Sequence, residues 1–227
     1  MAQSVLVIAD SGSGKSTAIR DLDPKETFII NIANKPLPFK GWKKNYSMIS
    51  KDNPKGNMTP VSSAAGITKA MMHVNDKMPH IKNLVIDDWQ YMSSFEYFDR
   101  ADEKGYDKFT SIAKNLAQVA KLPKDMREDL YIFFLTHSEE STDVNGNRKV
   151  KAKTVGKMID NALTLEGLFS IVLFGKVVKG EDDKLNYVFE TVNNGQNTCK
   201  SPDKMFDAAR IENSLAIVKN AIIEYEN

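Results

Sequence analysis

The sequence predicts an α/β fold: a mostly parallel central sheet flanked by helices, followed by a C-terminal antiparallel hairpin and a helix. Three observations carry that expectation. Apolar runs of strand length, bounded by turn residues, alternate with segments of helical period. Runs 5–9, 27–32, 83–87 and 130–136 are apolar nearly throughout, as strands covered on both faces are. Runs 169–174 and 185–191 are joined by the polar link 175–183, which suits an antiparallel hairpin. At 227 residues the chain reads as a single domain, 1–227, large enough to bury a full core.

The first strand runs into Ala9-Asp10-Ser11-Gly12-Ser13-Gly14-Lys15-Ser16, and the residues from Thr17 to Leu22 have helical spacing. Strand, glycine-rich turn and helix form the context of a phosphate-binding loop, or P-loop. Gly12 and Gly14 permit the sharp turns. The backbone of Ser11, Gly12, Ser13, Gly14, Lys15, Ser16 and Thr17 is then expected to aim its N–H groups at the phosphates of a nucleotide. The helix N-terminus adds partial positive charge. Lys15 is expected to reach the β- and γ-phosphates and the Ser16 hydroxyl to ligate Mg²⁺, so the cofactors implied are ATP and Mg²⁺. The strict pattern begins with glycine where this chain has Ala9. That position only ends the strand, and a methyl group is expected to be tolerated there.

The elements that follow extend this reading. Segment 35–60, with four prolines and many lysines, is expected to be a long irregular surface loop over the nucleotide. Segment 63–78 puts Ile67, Ala70, Met71, Val74 and Met78 on one helical face. The run Lys82-Asn-Leu-Val-Ile-Asp87-Asp88 is a strand ending in two carboxylates, the form of a Walker B element. Lying beside the P-loop strand, it would let Asp87 hold Mg²⁺ through water. Asp88 reads two ways: it orients or deprotonates the attacking water, or it caps the next segment.

Segment 106–122 is a second amphipathic helix, carrying Phe109, Ile112, Ala113, Leu116, Val119 and Ala120 and stopping before Pro123. Strand 130–136 ends at Thr136 and His137, both expected to look toward the γ-phosphate, since ligands bind beyond the carboxyl ends of parallel strands. Next comes a basic hairpin loop, 138–157, read as the sharpest charge asymmetry in the chain. Arg148, Lys149, Lys151, Lys153 and Lys157 fall within it, and Asn145-Gly146 signals a type I′ turn. Lys149, Lys151 and Lys153 alternate, so on an extended arm they project to one side, as a nucleic-acid backbone requires. The alternative is an ordinary solvated hairpin. Segment 211–225 reads as a terminal helix with Asn213 as N-cap.

Composition limits the function classes. The net charge of +1 gives the molecule as a whole no pull on nucleic acid, so such binding needs a local patch. The single Cys199 excludes an intramolecular disulfide, fits a reducing compartment and is read as structural. No run reaches the roughly 18–20 apolar residues of a membrane span, and Met1-Ala-Gln leads straight into a strand. A cytoplasmic protein without membrane attachment is expected. His73 and His80 have no metal-ligand company in sequence, which argues against zinc.

In this order the pieces resemble the RecA-like core ATPases, and more narrowly the short phage ATPases of single-strand annealing and recombination. The resemblance covers nearly the whole chain. It rests on the P-loop, on Leu84-Val-Ile-Asp-Asp-Trp-Gln-Tyr91, on Phe134-Leu-Thr-His-Ser-Glu139 and on Asn193-Asn-Gly-Gln-Asn-Thr-Cys-Lys-Ser-Pro202. It implies a Mg²⁺-dependent, DNA-stimulated ATPase that binds single-stranded DNA as a homo-oligomer and promotes annealing. A single-strand-binding or replication protein is a further implied partner, and the host cytoplasm the implied location. The resemblance gives His137 the γ-phosphate-sensing position and puts 138–157 where such proteins carry a DNA-binding loop.

Two departures stand out. Where RecA-type proteins keep a catalytic glutamate after the second strand, this chain has Asn34-Lys35, which makes Asp88 the candidate base beside Lys15 and His137. RecA has an N-terminal segment that docks onto its neighbour, whereas here the P-loop strand is expected to begin at Ser4, so oligomer geometry is not carried over. The family usually borrows a cation from the adjacent subunit; Lys176, Lys179 and Lys200 are candidates, each otherwise an ordinary exposed lysine.

Two other functions remain in view. A nucleotide-dependent loader or switch acting on a protein partner would share the same P-loop. A P-loop nucleotide kinase would need a lid of arginines, and the five here, Arg20, Arg100, Arg127, Arg148 and Arg210, are scattered.

Overall fold

The structure, a computed structural model, describes residues 1–142, 146, 148–156, 163–180 and 183–227. At the centre of its sheet lies β1 (Gln3–Ala9), with β5 (Tyr131–Thr142) on one side and β7 (Ile171–Lys179) on the other, all parallel. Outward from β5 follow β4 (Asn83–Asp87), β2 (Thr27–Asn31) and the short edge strand β3 (Met58–Thr59), also parallel. Beyond β7, β8 (Leu185–Glu190) and β9 (Arg210–Glu212) pair antiparallel, and β6 (Arg148–Ala152) pairs antiparallel with the far end of β5. The expected architecture is present: a mostly parallel sheet flanked by helices, then an antiparallel hairpin and a terminal helix.

Alternate residues of the central strands feed two cores. Leu6, Ile8, Phe28, Ile30, Leu84, Ile86, Ile132 and Phe134 are buried with side chains of α2 (Ala64–Lys77), α3 (Gln90–Asp99) and α4 (Asp107–Lys121). Val5, Val7, Ile29, Val85, Phe133 and Leu135 pack on the other face against α5 (Leu215–Glu226) and the 3₁₀ turn Ser16–Asp21. Burial of both faces is why these strands show no polar alternation.

The structure corrects several expectations. β4 does not lie beside β1, because β5 is inserted between them. The short helical segment expected after the glycine-rich loop is present as a six-residue 3₁₀ helix, Ser16–Asp21, rather than an α-helix. α3, rich in aromatics and without a clean apolar stripe, was not foreseen; Trp89 anchors its start, 4.7 Å from the ring of Phe134. β5 runs on to Thr142 because β6 supplies a new partner where β1 ends. The terminal helix begins at Leu215, with Ser214 in the cap position, since residues 210–212 are taken by β9; Asn213 is buried and is not the cap.

Segment 35–60 is not a free loop. It contains a single helical turn, α1 (Trp42–Asn45), and β3, and it is pinned to the core by the buried Leu37 and Tyr46. Cys199 is buried, and desolvation pushes its thiol up to about 12, the state of an inert structural cysteine. Among the described residues no helix is long and apolar enough to cross a membrane.

The methyl of Ala9 has a specific accommodation. Its partner on β7 is Gly175, and a Cβ on Gly175 would lie 2.8 Å from the Ala9 Cβ. Gly175→Ala is therefore expected to cost about 1–3 kcal/mol by overpacking, read as a lower melting temperature. The double variant Ala9→Gly/Gly175→Ala should recover most of the loss, and equal melting of wild type and Gly175→Ala would refute the contact.

Candidate functional site

β1 and β4 end on the edge of the sheet where β5 leaves its pairing with β1 at His137, and polar residues of all three converge there. Beyond Ala9 the chain turns through Gly12 (φ +79°) and Gly14 (φ +86°) into Lys15 and the 3₁₀ turn. Gly14 is required twice: for its left-handed backbone, and because a Cβ there would lie 2.9 Å from Cδ1 of Tyr187. Ser13 N donates to Asp10 O at 3.2 Å, while the N–H groups of Gly12, Gly14 and Lys15 find no acceptor among the described residues. Free amides gathered on one tight loop form a concavity for anions.

Lys15 is almost fully buried, and its Nζ donates to Ala9 O and Asp10 O, both at 2.9 Å. Burial pulls its pKa down to about 8, against the charges of Asp88, Asp87 and Asp10. A partly dehydrated ammonium of this kind gains more from an incoming anion than a solvated one does.

Ser16 Oγ donates to Asp87 Oδ1 at 2.9 Å. The contact reaches across β5, so Ser16 and Asp87 meet although their strands are not neighbours. Burial, reinforced by the charge of Asp88, pushes the Asp87 pKa up to about 6, against the Ser16 hydrogen bond and the charges of Lys35 and Lys15. A hydroxyl beside a carboxylate is the hard-oxygen pair that suits Mg²⁺, an ion that keeps most of its waters and takes one or two protein carboxylates. Among the described residues no group of three or more His, Cys, Asp or Glu side chains is arranged to hold a metal by itself.

Asp88 has φ +59°, an uncommon value for a residue other than glycine. Its Oδ2 lies 2.5 Å from Lys35 Nζ and its Oδ1 lies 3.4 Å from His137 Nε2. Burial alone would raise its pKa, but the hydrogen bonds and charges of His137 and Lys35 outweigh that and hold the carboxyl below its ordinary range. For Lys35, partial burial works to lower the pKa, and the hydrogen bond and charge of Asp88 raise it above the ordinary lysine value. Asn31 fixes the Lys35 backbone from both sides, donating from Nδ2 to Lys35 O at 2.6 Å and accepting from Lys35 N at 3.2 Å. Sequence reasoning missed Lys35 as a site residue, seeing only that no glutamate stood there. The available signal was its place just past the end of β2, on the same sheet edge.

A cavity of about 370 Å³ is lined by Ser11, Gly12, Gly14, Lys15, Ser16, Thr17, Lys35, Pro38, Asp88, His137 and Tyr187; Asp87, buried and bonded to Ser16, is outside the lining. Of the expected loop residues, Ser13 alone is outside its lining. Thr136 is a correction: it is buried, and its hydroxyl donates to Gln90 Oε1 at 3.4 Å rather than facing the cavity. His137 N donates to the same Gln90 oxygen at 3.1 Å.

β5 passes this cavity and continues into the antiparallel arm. Its partner changes from β1 at His137 to β6 at Ser138. Lys153 N donates to His137 O at 2.8 Å, and Ser138 Oγ donates to the Asp10 carboxylate, so arm and loop are joined through these residues. The charge on the arm is weaker than expected. Arg148 lies 3.8 Å from Glu140 and Lys151 lies 3.1 Å from Glu139, while Lys149 and Lys153 are exposed. Asn145 and Lys157 lie outside the described residues. Stretch 138–157 holds five basic and three acidic residues, against six lysines and one aspartate in 35–60, which is the sharper asymmetry.

The candidate neighbour-reaching cations lie elsewhere. Lys176 is 3.8 Å from Glu190, Lys179 is 2.5 Å from Asp183, and exposed Lys200 bridges its backbone to Val172. None of the three lines the cavity. Compared with protein-family models and with curated proteins, the chain matches none; the reading of the site rests on its geometry.

Proposed function

We propose that this chain is a Mg²⁺-dependent ATPase of the RecA-like P-loop type. The observation that carries the reading is the convergence on one cavity of free loop amides, a buried lysine and the Ser16 hydroxyl, which is itself bonded to the buried Asp87 carboxylate outside the lining. The amides of Gly12, Gly14 and Lys15 would cradle the phosphates, and Lys15 would exchange the Ala9 and Asp10 carbonyls for phosphate oxygens. Ser16 and Asp87 would hold Mg²⁺, whose chemistry is to neutralise phosphate charge.

Asp88 and His137 face the same space. The lowered pKa makes Asp88 a weak base, so it orients the attacking water through hydrogen bonds; a loose phosphoryl-transfer transition state asks little more. Lys35 supplies a second cation from the chain itself, moving from Asp88 toward the transferring phosphoryl group. That is the task the resemblance would give to a neighbour's Lys176, Lys179 or Lys200.

The DNA-dependent part of the reading is supported by the arm that continues β5 directly from His137. Its test is ATP hydrolysis with and without single-stranded DNA. Hydrolysis that requires Mg²⁺ and rises with DNA is expected, and falls back to the basal rate when Lys149, Lys151 and Lys153 are all changed to alanine. Absence of ATP binding in the presence of Mg²⁺ would overturn the ATPase reading. The pairing of Arg148 and Lys151 with carboxylates favours one second reading, a nucleotide-dependent switch acting on a protein partner. Slow turnover indifferent to DNA and to the triple substitution would select it.

A further inference from the structure

A second cleft, of about 410 Å³, lies at the opposite edge of the parallel sheet, where β2 and β4 begin. Three segments meet there: Asp23 to Lys25 before β2, 44–57 around β3, and Met78 to Ile81 before β4. Its cationic lining is Lys25, Lys44 and Lys55, with His80 beside them, and its one acidic residue is Asp23. The Asp23 carboxylate is engaged, accepting from Lys25 N at 2.9 Å.

None of the three lysines pairs with a carboxylate among the described residues, whereas Lys35, Lys82, Lys151, Lys176, Lys179 and Lys219 all do. The frame that carries them is tied together. Asn57 Nδ2 donates to Pro24 O and to Asn45 O, both at 3.0 Å, and Ser47 N donates to Asn57 Oδ1 at 3.0 Å. One asparagine thus joins the Lys25 segment to the Lys44 segment. Asn53 adds hydrogen bonds to Ser47 Oγ at 3.0 Å and to Met48 O at 2.9 Å, which bracket the turn carrying Lys55.

We infer that this cleft binds the phosphodiester backbone of a nucleic-acid strand. Unpaired cations gathered on a fixed frame keep their full field for an outside polyanion, and each phosphate contact releases counterions. The lysines are point charges without the planar fork that matches single carboxylates and fixes orientation, so the strand is held without base readout. The rest of the segment adds to the field, with Lys40, Lys43 and Lys51 against the single Asp52. The strand lies across the sheet from the phosphate cavity, and the inference does not depend on what that cavity does.

The experiment is fluorescence anisotropy of a labelled oligothymidylate over a salt series. Lys25→Glu/Lys44→Glu/Lys55→Glu is expected to weaken binding more than tenfold and to flatten the salt slope by about 2, at about 0.7 per lost contact on a single strand. Lys149→Glu/Lys153→Glu on the arm is expected to change affinity less than the cleft variant does. The corresponding triple glutamine variant should lose affinity and slope in the same direction, which guards against a folding defect in the glutamate form. Three results would overturn the inference: a wild-type protein that does not bind the strand, cleft variants that bind as tightly as wild type, or polyglutamate displacing the strand as well as unlabelled oligothymidylate does. ATP binding measured on the same variants keeps the two sites apart, since failure at the cavity leaves the cleft result standing.

Discussion

Replacing Lys15 by alanine is expected to lower kcat/KM for ATP by about 10²-fold or more, without lowering the melting temperature. The activity loss follows from removing a cation aimed at a phosphate in a site of restricted hydration, where a single donor contributes about 10²–10³-fold. Stability behaves differently because the ammonium is buried at a cost, which its depressed pKa of about 8 expresses. Alanine removes that cost, together with hydrogen bonds to the two loop carbonyls. Steady-state hydrolysis and a thermal melt on one preparation test both halves. Wild-type turnover with alanine at this position would remove the cavity from consideration as an ATPase site.

The second large effect is expected at Lys35. Lys35→Met should reduce kcat by about 10²–10³-fold while KM for ATP changes only a few-fold, because the second cation acts on charge that develops in the transition state. Lys35→Arg should restore part of the rate, since it keeps the charge on a similar reach. Lys35→Met removes one of the two side-chain partners of the Asp88 carboxylate and leaves His137, so the Asp88 pKa should rise. Two results would sink the assignment: unchanged kcat in Lys35→Met, or a specific activity that climbs steeply with protein concentration, as a cation donated by a neighbour requires.

The two expectations differ in how visible they were beforehand. Lys15 announces itself by the residues around it: a strand, two glycines with left-handed backbone, a serine after it. Lys35 sits in a stretch whose prolines and lysines read as loop, and nothing local marks it. Its place in the cavity arises from Asn31, which clamps its backbone, and from Asp88, far away in sequence. The same holds for the remote cleft, where Lys25, Lys44, Lys55 and His80 come from three separated segments. In the arm at 138–157 the basic residues lie close together along the chain and so stand out, whereas only antiparallel pairing sets Glu139 and Glu140 against them.

Strand boundaries followed the same division. Asn83–Asp87 was read to the residue, since an apolar run flanked by polar residues defines its own limits. The extension of β5 to Thr142 could not be read that way, because a polar strand persists only if a partner covers its hydrogen-bonding edge. The terminal helix was placed early for a related reason: Arg210–Glu212 has no strand character of its own and is extended because β8 offers it an edge.

What the sequence by itself determined is the alternation of strands and helices, the tight glycine turn and the identity of the chemical groups on one sheet edge. These depend on side-chain pattern and local backbone freedom, which are properties of neighbouring residues. Only the tertiary structure decided the order of the parallel strands, with β5 between β1 and β4, and with it the meeting of Ser16 with Asp87 and of Lys35 with Asp88. Parallel strands are joined by crossovers long enough to reach several positions in a sheet, so their order is settled by how the helices pack on its two faces.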